Sequence, residues 1–153
     1  MDTLTPEECR SLLEHQHVAH IGVVTPDGPY VTPISYAIVG TELAFRTAPG
    51  RRTEAIEADA RVSVEVSDYD AETGDWASVI VTGTARIMAD EPITEQAVID
   101  ALFDKYRHAY QSLLSVPSDI GFGPRFVVLV ELAEVSGRKS GGFMSTRTRP
   151  GRL

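Results

Sequence analysis

The sequence holds a single cysteine, Cys9, so it cannot close an internal disulfide, and that economy suits a reducing compartment. No apolar run approaches the roughly 20 residues that a membrane-spanning helix needs. Positive charge is scarce: 14 Lys and Arg stand against 22 Asp and Glu, for a net charge of −8. A chain this acidic is a poor general DNA or RNA binder, because phosphate contacts dominate nucleic-acid affinity. The opening residues, Met1 to Glu8, carry no cation and do not read as a secretory signal. Internal repeats, low-complexity segments and a second-domain linker are missing too. These absences lead to the expectation of a cytoplasmic protein with no membrane and no nucleic-acid partner. What remains is 42% apolar and 24% charged, the balance of one folded domain in 153 residues.

Local signals place the elements. Thr5-Pro6-Glu7-Glu8 is a helix start, with Thr5 as cap, Pro6 at the first helical position and Glu8 completing a capping box. Cys9, Leu12 and Leu13 supply its buried stripe, and the helix is expected to end near His17. Strands are expected at 18–24, 30–39, 42–47, 61–67, 76–88 and 125–135, separated by turn chemistry such as Thr25-Pro26-Asp27-Gly28-Pro29. Val62, Val64 and Val66 alternate with Arg61, Ser63 and Glu65, so one face of that strand is buried. Gly83 marks a bulge or a close backbone approach. A short helix over 51–58 and a longer one over 93–114 complete the chain. The longer helix has Ile93, Ala97, Val98, Ala101, Leu102, Tyr106 and Leu113 on one side. Early strands that follow one another through tight turns exclude a βαβ array. They predict a mainly β (α+β) fold, a six-stranded antiparallel barrel with flanking helices. Residues 1–136 form the barrel domain, and 137–153 form a Gly/Arg-rich tail, frayed or ordered by a ligand or partner.

The cations are clustered, which in an acidic chain points to a small anionic ligand. Phe45-Arg46-Thr47-Ala48-Pro49-Gly50-Arg51-Arg52 runs from a strand through a Pro-Gly turn into a helix. Arginine forks, the Thr47 hydroxyl and the free amides of a helix start make a phosphate clamp. Other features read as ordinary. His15 and His17 point apart on a helix and do not make a metal site. Cys9 has no base at a predictable distance. Asp68, Asp70, Glu72 and Asp75 lack the glycine and glutamate positions of a calcium loop. No metal is expected.

Several stretches, in order, resemble the pyridoxamine 5′-phosphate oxidase-like, FMN-binding split-barrel family. They are Thr5-Pro6-Glu7-Glu8-Cys9 to Leu13, His20-Ile21-Gly22-Val23, Asp27 to Tyr36, Phe45 to Arg52, Val64-Glu65-Val66 and Asp75 to Ala85. The resemblance implies a split β-barrel with FMN in a groove at a homodimer interface. Thr32, Pro33, Ile34, Ser35 and Tyr36 would run along the flavin ring. Arg46 and Thr47 would reach the ribityl chain and phosphate beside the Gly50 turn, and Arg51 and Arg52 would neutralise the phosphate. Lysine is common in the family at the position of Arg52, a change that keeps the charge. Trp76 and Ser78 would approach the ring from the partner chain, though core packing is the expected role of Trp76.

These readings lead to an FMN-dependent oxidoreductase acting on a small-molecule substrate, its electron chemistry supplied by the flavin. The alternatives are a deazaflavin-dependent reductase, FAD in place of FMN, or a non-catalytic flavin- or haem-binding protein. The dimer expectation also rests on Phe126, Val127, Val128, Leu129 and Val130. They are apolar on consecutive positions and need cover on both faces, from the 93–114 helix or from a partner chain. In the tail, Gly137 to Met144 offers two cations and Phe143, the composition of a lid that stacks on a planar ring.

Overall fold

The structure is a computed structural model that describes residues 1–107 and 125–143. Its strands are β1 (Asp2–Thr3), β2 (Ala19–Thr25), β3 (Gly28–Ile34), β4 (Tyr36–Val39), β5 (Glu42–Thr47), β6 (Arg61–Tyr69), β7 (Trp76–Ile87), β8 (Phe126–Glu131) and β9 (Glu134–Lys139). The helices are α1 (Pro6–His15), α2 (Arg51–Ala58) and α3 (Pro92–Lys105). Helix α1 begins as its sequence demands. The Thr5 amide donates to Glu8 Oε2 at 2.8 Å, and the Glu8 amide donates back to Thr5 Oγ1 at 3.2 Å.

Every strand pairing is antiparallel, in the order β3-β2-β6-β7-β8-β5-β4. The two ends of that order, β3 and β4, are consecutive in the chain and separated by Ser35 alone. The sheet therefore curls until its edges meet at Ser35, which makes a barrel with a seam. The expected single strand over 30–39 is thus two strands. After Ser35 the chain buries Tyr36 in the barrel and Ala37 beneath α3, and a strand with one buried face cannot do both without turning.

The expected strand over 125–135 also divides. β8 pairs with Ala85–Ile87 and β9 with Ala77–Thr82 on the same edge of β7, out of step by one residue across Leu132 and Ala133. That offset is a bulge-like insertion. β9 continues to Lys139, where it pairs with β1, so the boundary expected after residue 136 falls inside a strand. Gly83 sits where β7 passes between these partners, and a Cβ there would lie 3.4 Å from the Glu131 carbonyl oxygen. The close backbone approach read from the sequence is present.

Inside the barrel, Ile21, Val62, Val64, Val66, Val79, Val81, Phe45 and Val128 pack with Leu13 of α1. A second cluster joins Val127 and Leu129 of β8 to Ala37, Ala44 and to Val98 and Leu102 of α3. The consecutive apolar positions of β8 are thus covered by the barrel on one side and by α3 on the other, within one chain. Of the expected helix stripe, Val98 and Leu102 are buried and Ala101 is half-buried, whereas Ile93 and Ala97 are exposed. Leu113 and the rest of the expected helix past residue 107 lie outside the described residues.

The end of α3 meets the seam. The Tyr36 amide donates to the Tyr106 hydroxyl at 2.9 Å, and that hydroxyl lies 2.6 Å from the His17 carbonyl oxygen. The Tyr36 hydroxyl in turn donates to the Leu13 carbonyl at 2.6 Å. Lys105 Nζ sits 3.8 Å from the centre of the Tyr36 ring, buried and without a hydrogen-bond partner among the described residues. Burial pushes its amine down from 10.5 to about 8, with Glu14 opposing. A folded value below the unfolded one makes the charged amine costly at neutral pH, and that cost disappears as pH rises from 8 through 10.5. Contact with the ring offsets part of it, and partial exposure screens more. Lys105→Met is therefore expected to gain about 1–2 kcal/mol at pH 7 relative to pH 10.5. Urea unfolding of both proteins at the two pH values measures this; a difference that does not change with pH would contradict it.

Candidate functional site

The site is built on β5 and α2. Phe45 and Thr47 point inward and are buried, so alternation turns Arg46 outward, where it is exposed. Past the Pro49-Gly50 turn, Thr53 Oγ1 accepts the Gly50 amide at 2.9 Å and donates back to the Gly50 carbonyl at 2.9 Å. This cap starts α2 and leaves the amides of Arg51, Arg52 and Thr53 with no partner inside the helix.

Arg52 is half-buried and spans the seam. Its Nε donates to Thr32 Oγ1 on β3 at 2.9 Å, and Nη1 donates to Thr47 Oγ1 on β5 at 3.0 Å. Nη2 also reaches Thr32 and, at 3.4 Å, the Pro33 carbonyl. Burial pushes this guanidinium down from its ordinary value, and Tyr30 opposes the shift. Arg51 is more open: it lies over the Tyr30 ring at 4.2 Å, with Asp27 4.0 Å away. Arg51 and Arg52 thus flank the turn where β5 passes into α2, with Arg52 tied to β3, while Arg46 lies exposed on the outer face of β5.

The other expected contacts divide. Pro33 and Ser35 are exposed at the seam, and Thr32 is tied to Arg52. Ile34 and Tyr36 turn their side chains into the core, and the Tyr36 amide and carbonyl are both engaged by the Tyr106 hydroxyl, at 2.9 Å each. Trp76 and Ser78 are not brought to the arginines in one chain: they lie on the outward side of β7, beyond β2 and β6 from β3. Trp76 is half-buried on that outward side, so core packing is not its role. The register exposes what spacing could not. His20, Glu65 and Ser78 come together across β2, β6 and β7. From the sequence Glu65 reads as outward, His20 as either a core residue or one facing the flavin, and Ser78 as a ring contact only through the resemblance.

The tail is used by the fold. Arg138 Nη1 donates to Thr3 Oγ1 at 2.8 Å, and Lys139 Nζ donates to Glu8 Oε1 at 2.7 Å. The Lys139 hydrogen bond, then the Thr5 amide, hold the Glu8 carboxyl below its ordinary value. Ser140 donates its hydroxyl to Asp75 at 2.8 Å and its amide to the Trp76 carbonyl at 2.9 Å. Phe143 packs against the barrel core, a placement at odds with a lid stacked on a ring. Its cations and its aromatic are engaged because β9 extends the sheet past the residues where fraying was expected. Met144 and the residues after it lie outside the described part.

Cys9 is buried, and desolvation, then Glu8, push its thiol up, away from the reactive form. Among the described residues no group of His, Cys, Asp and Glu is placed to hold a metal. No described helix is long and apolar enough to cross a membrane.

The family model for pyridoxamine 5′-phosphate oxidase matches residues 5–139. The chain belongs to the pyridoxamine 5′-phosphate oxidase-like family. The chain is similar to an uncharacterized protein of Rhizobium meliloti, 27% identical over 140 residues, 88% of this chain and 92% of the other. Among solved structures it is similar to a FAD-binding protein of Mesorhizobium loti, with a TM-score of 0.74 and 25% identity. That match covers 91% of this chain and 97% of the other. A FAD-binding protein of Mycobacterium smegmatis has the same fold at a TM-score of 0.65 and 24% identity, over 91% and 99% of the two chains.

Proposed function

We infer that the protein is a flavin-dependent oxidoreductase that binds FMN at the seam, with the flavin phosphate on Arg46, Arg51, Arg52 and the first turn of α2. The observation that carries this reading is the Arg52 fork between Thr32 and Thr47, because it joins β3, β5 and α2 around one cationic turn. Three guanidiniums and unpaired helix amides suit a phosphate dianion chemically. Along β3 the exposed Pro33 and Ser35 leave the strand edge open to a planar ring. When bound, the flavin supplies the electron chemistry; the chain binds it, orients it and sets its electrostatic surroundings. FAD is the second reading, favoured by the Mesorhizobium and Mycobacterium proteins described as FAD-binding.

The reading includes a homodimer, but its support has moved. β8 is already covered by α3, so it asks for no partner. The outward side of β2, β3, β6 and β7 does: Val24, Val31, Tyr69 and Ile80 are exposed there, Val31 at 62% and Tyr69 at 67%. On that side a groove of about 650 Å³ is lined by Gly22, Ser63, Thr82 and Gly83, with Arg61 and Glu134 at its rim. No arginine of the cluster lines it, so it is a surface for a partner protomer rather than the phosphate site. Pairing through this side would also carry Trp76 and Ser78 of the second copy toward a flavin. Sedimentation is expected to show a dimer at micromolar concentration, and Val31→Glu with Ile80→Glu is expected to yield a folded monomer with weakened flavin binding. A wild-type monomer of 16.6 kDa that keeps its flavin would contradict the dimer.

A further inference from the structure

A polar row crosses the outward side of the sheet and ends opposite Pro33, whose carbonyl Arg52 reaches. Ser78 Oγ donates to Glu65 Oε1 at 2.9 Å, and Glu65 Oε2 lies 3.5 Å from His20 Nδ1. His20 is the register partner of Glu65 on one side and of Pro33 on the other. Pro33 in turn offers its carbonyl to Arg52. The row therefore runs Ser78, Glu65, His20 and stops one ladder step from the seam.

The chemistry of the row has a direction. Ser78 holds one Glu65 oxygen, the other faces the Nδ1 edge of His20, and Nε2 is the ring nitrogen turned away from the carboxylate. Glu65 on β6 is the charged group paired with the imidazole, and β3 places Pro33 opposite it in register. The His20 side chain keeps half its surface exposed.

Resting on the flavin reading above, we propose that His20 faces the bound ligand. Its Nε2 accepts a hydrogen bond from an N–H or O–H group of the molecule lying along β3, and Glu65 and Ser78 are positioning residues. The imide N–H of an isoalloxazine ring is a donor of this kind.

The test titrates FMN and FAD into apo wild type, H20A, H20Q and E65Q of the full chain, reading dissociation constants, bound-flavin absorption and sedimentation. H20A is expected to bind about tenfold more weakly, as the loss of one such hydrogen bond implies, and to shift the absorption band of the bound flavin. H20Q, which keeps a side-chain acceptor, is expected to restore most of the affinity and the band. E65Q, which removes the carboxylate that orients the ring, is expected to fall between. Thermal melting of apo H20A should match wild type, because the residue is half exposed. Wild-type affinity and spectrum in H20A would overturn the proposal while leaving the flavin reading intact. A change in sedimentation with no change in the flavin spectrum would likewise overturn it, assigning His20 to the protomer interface. A wild type that binds neither flavin overturns both readings.

Discussion

Replacing Arg51 and Arg52 together with alanine is expected to weaken flavin binding at least about a hundredfold. Each removes a charge-assisted contact to phosphate worth about 1.5–3 kcal/mol, and the two losses combine at one anion. The structure divides the effect. Arg51 stacks over Tyr30 and makes only a long contact to Asp27, so R51A leaves the barrel untouched and isolates the phosphate contribution. Arg52 also ties Thr32 to Thr47, so R52A loosens the seam in addition to removing charge. R51A alone is expected to bind about tenfold more weakly with an unchanged melting temperature. Fluorescence titration of the apo proteins with FMN reads both. Unchanged affinity in the double variant would place the phosphate elsewhere.

Gly137→Val is expected to be the most damaging single change away from the seam. A Cβ on Gly137 would lie 2.6 Å from Leu4 Cδ1, 2.7 Å from Cys9 Sγ and 2.9 Å from Leu4 Cβ. The Leu4 amide also donates to the Gly137 carbonyl at 3.0 Å, so strand and helix cannot separate without losing that bond. Overpacking of this kind costs about 3 kcal/mol, with further loss if α1 lifts from the barrel. For a chain of this size that is a fall of roughly 6–12 °C in melting temperature. Ser136→Ala, at the exposed neighbour, should melt like wild type. A valine variant that also melts like wild type would mean that β9 does not pack against α1 as described.

What could be read from the sequence was local. The Thr5-Glu8 box, the alternation of Val62, Val64 and Val66, and the run from Arg46 to Arg52 are each written within a few residues, and each recurs in the structure. What escaped depends on partners far away in the chain. Ser35 divides a strand because Tyr36 must reach Leu13 and Tyr106, which lie 23 and 70 residues away. Gly137 to Lys139 look like a loose tail until Thr3 and Glu8 are seen to receive Arg138 and Lys139. Nothing local joins His20, Glu65 and Ser78 until register lines them up. Phe143 carried a lid reading through its flanking glycines, yet it lies on the core because Ser140 is bound to Asp75 and Trp76. The arginine cluster was legible as chemistry. That Arg52 ties β3 to β5 beside the seam was not, because the seam exists only once the sheet has curled.

The central claim is a flavin at that seam, and one measurement tests it directly. The absorbance spectrum of the purified protein, with identification of any chromophore released on denaturation, should show the paired bands of an oxidised flavin and release FMN. Released FAD would keep the flavin and select the second reading. A Soret band, a single deazaflavin band, or a colourless protein that binds neither added FMN nor added FAD would contradict the account.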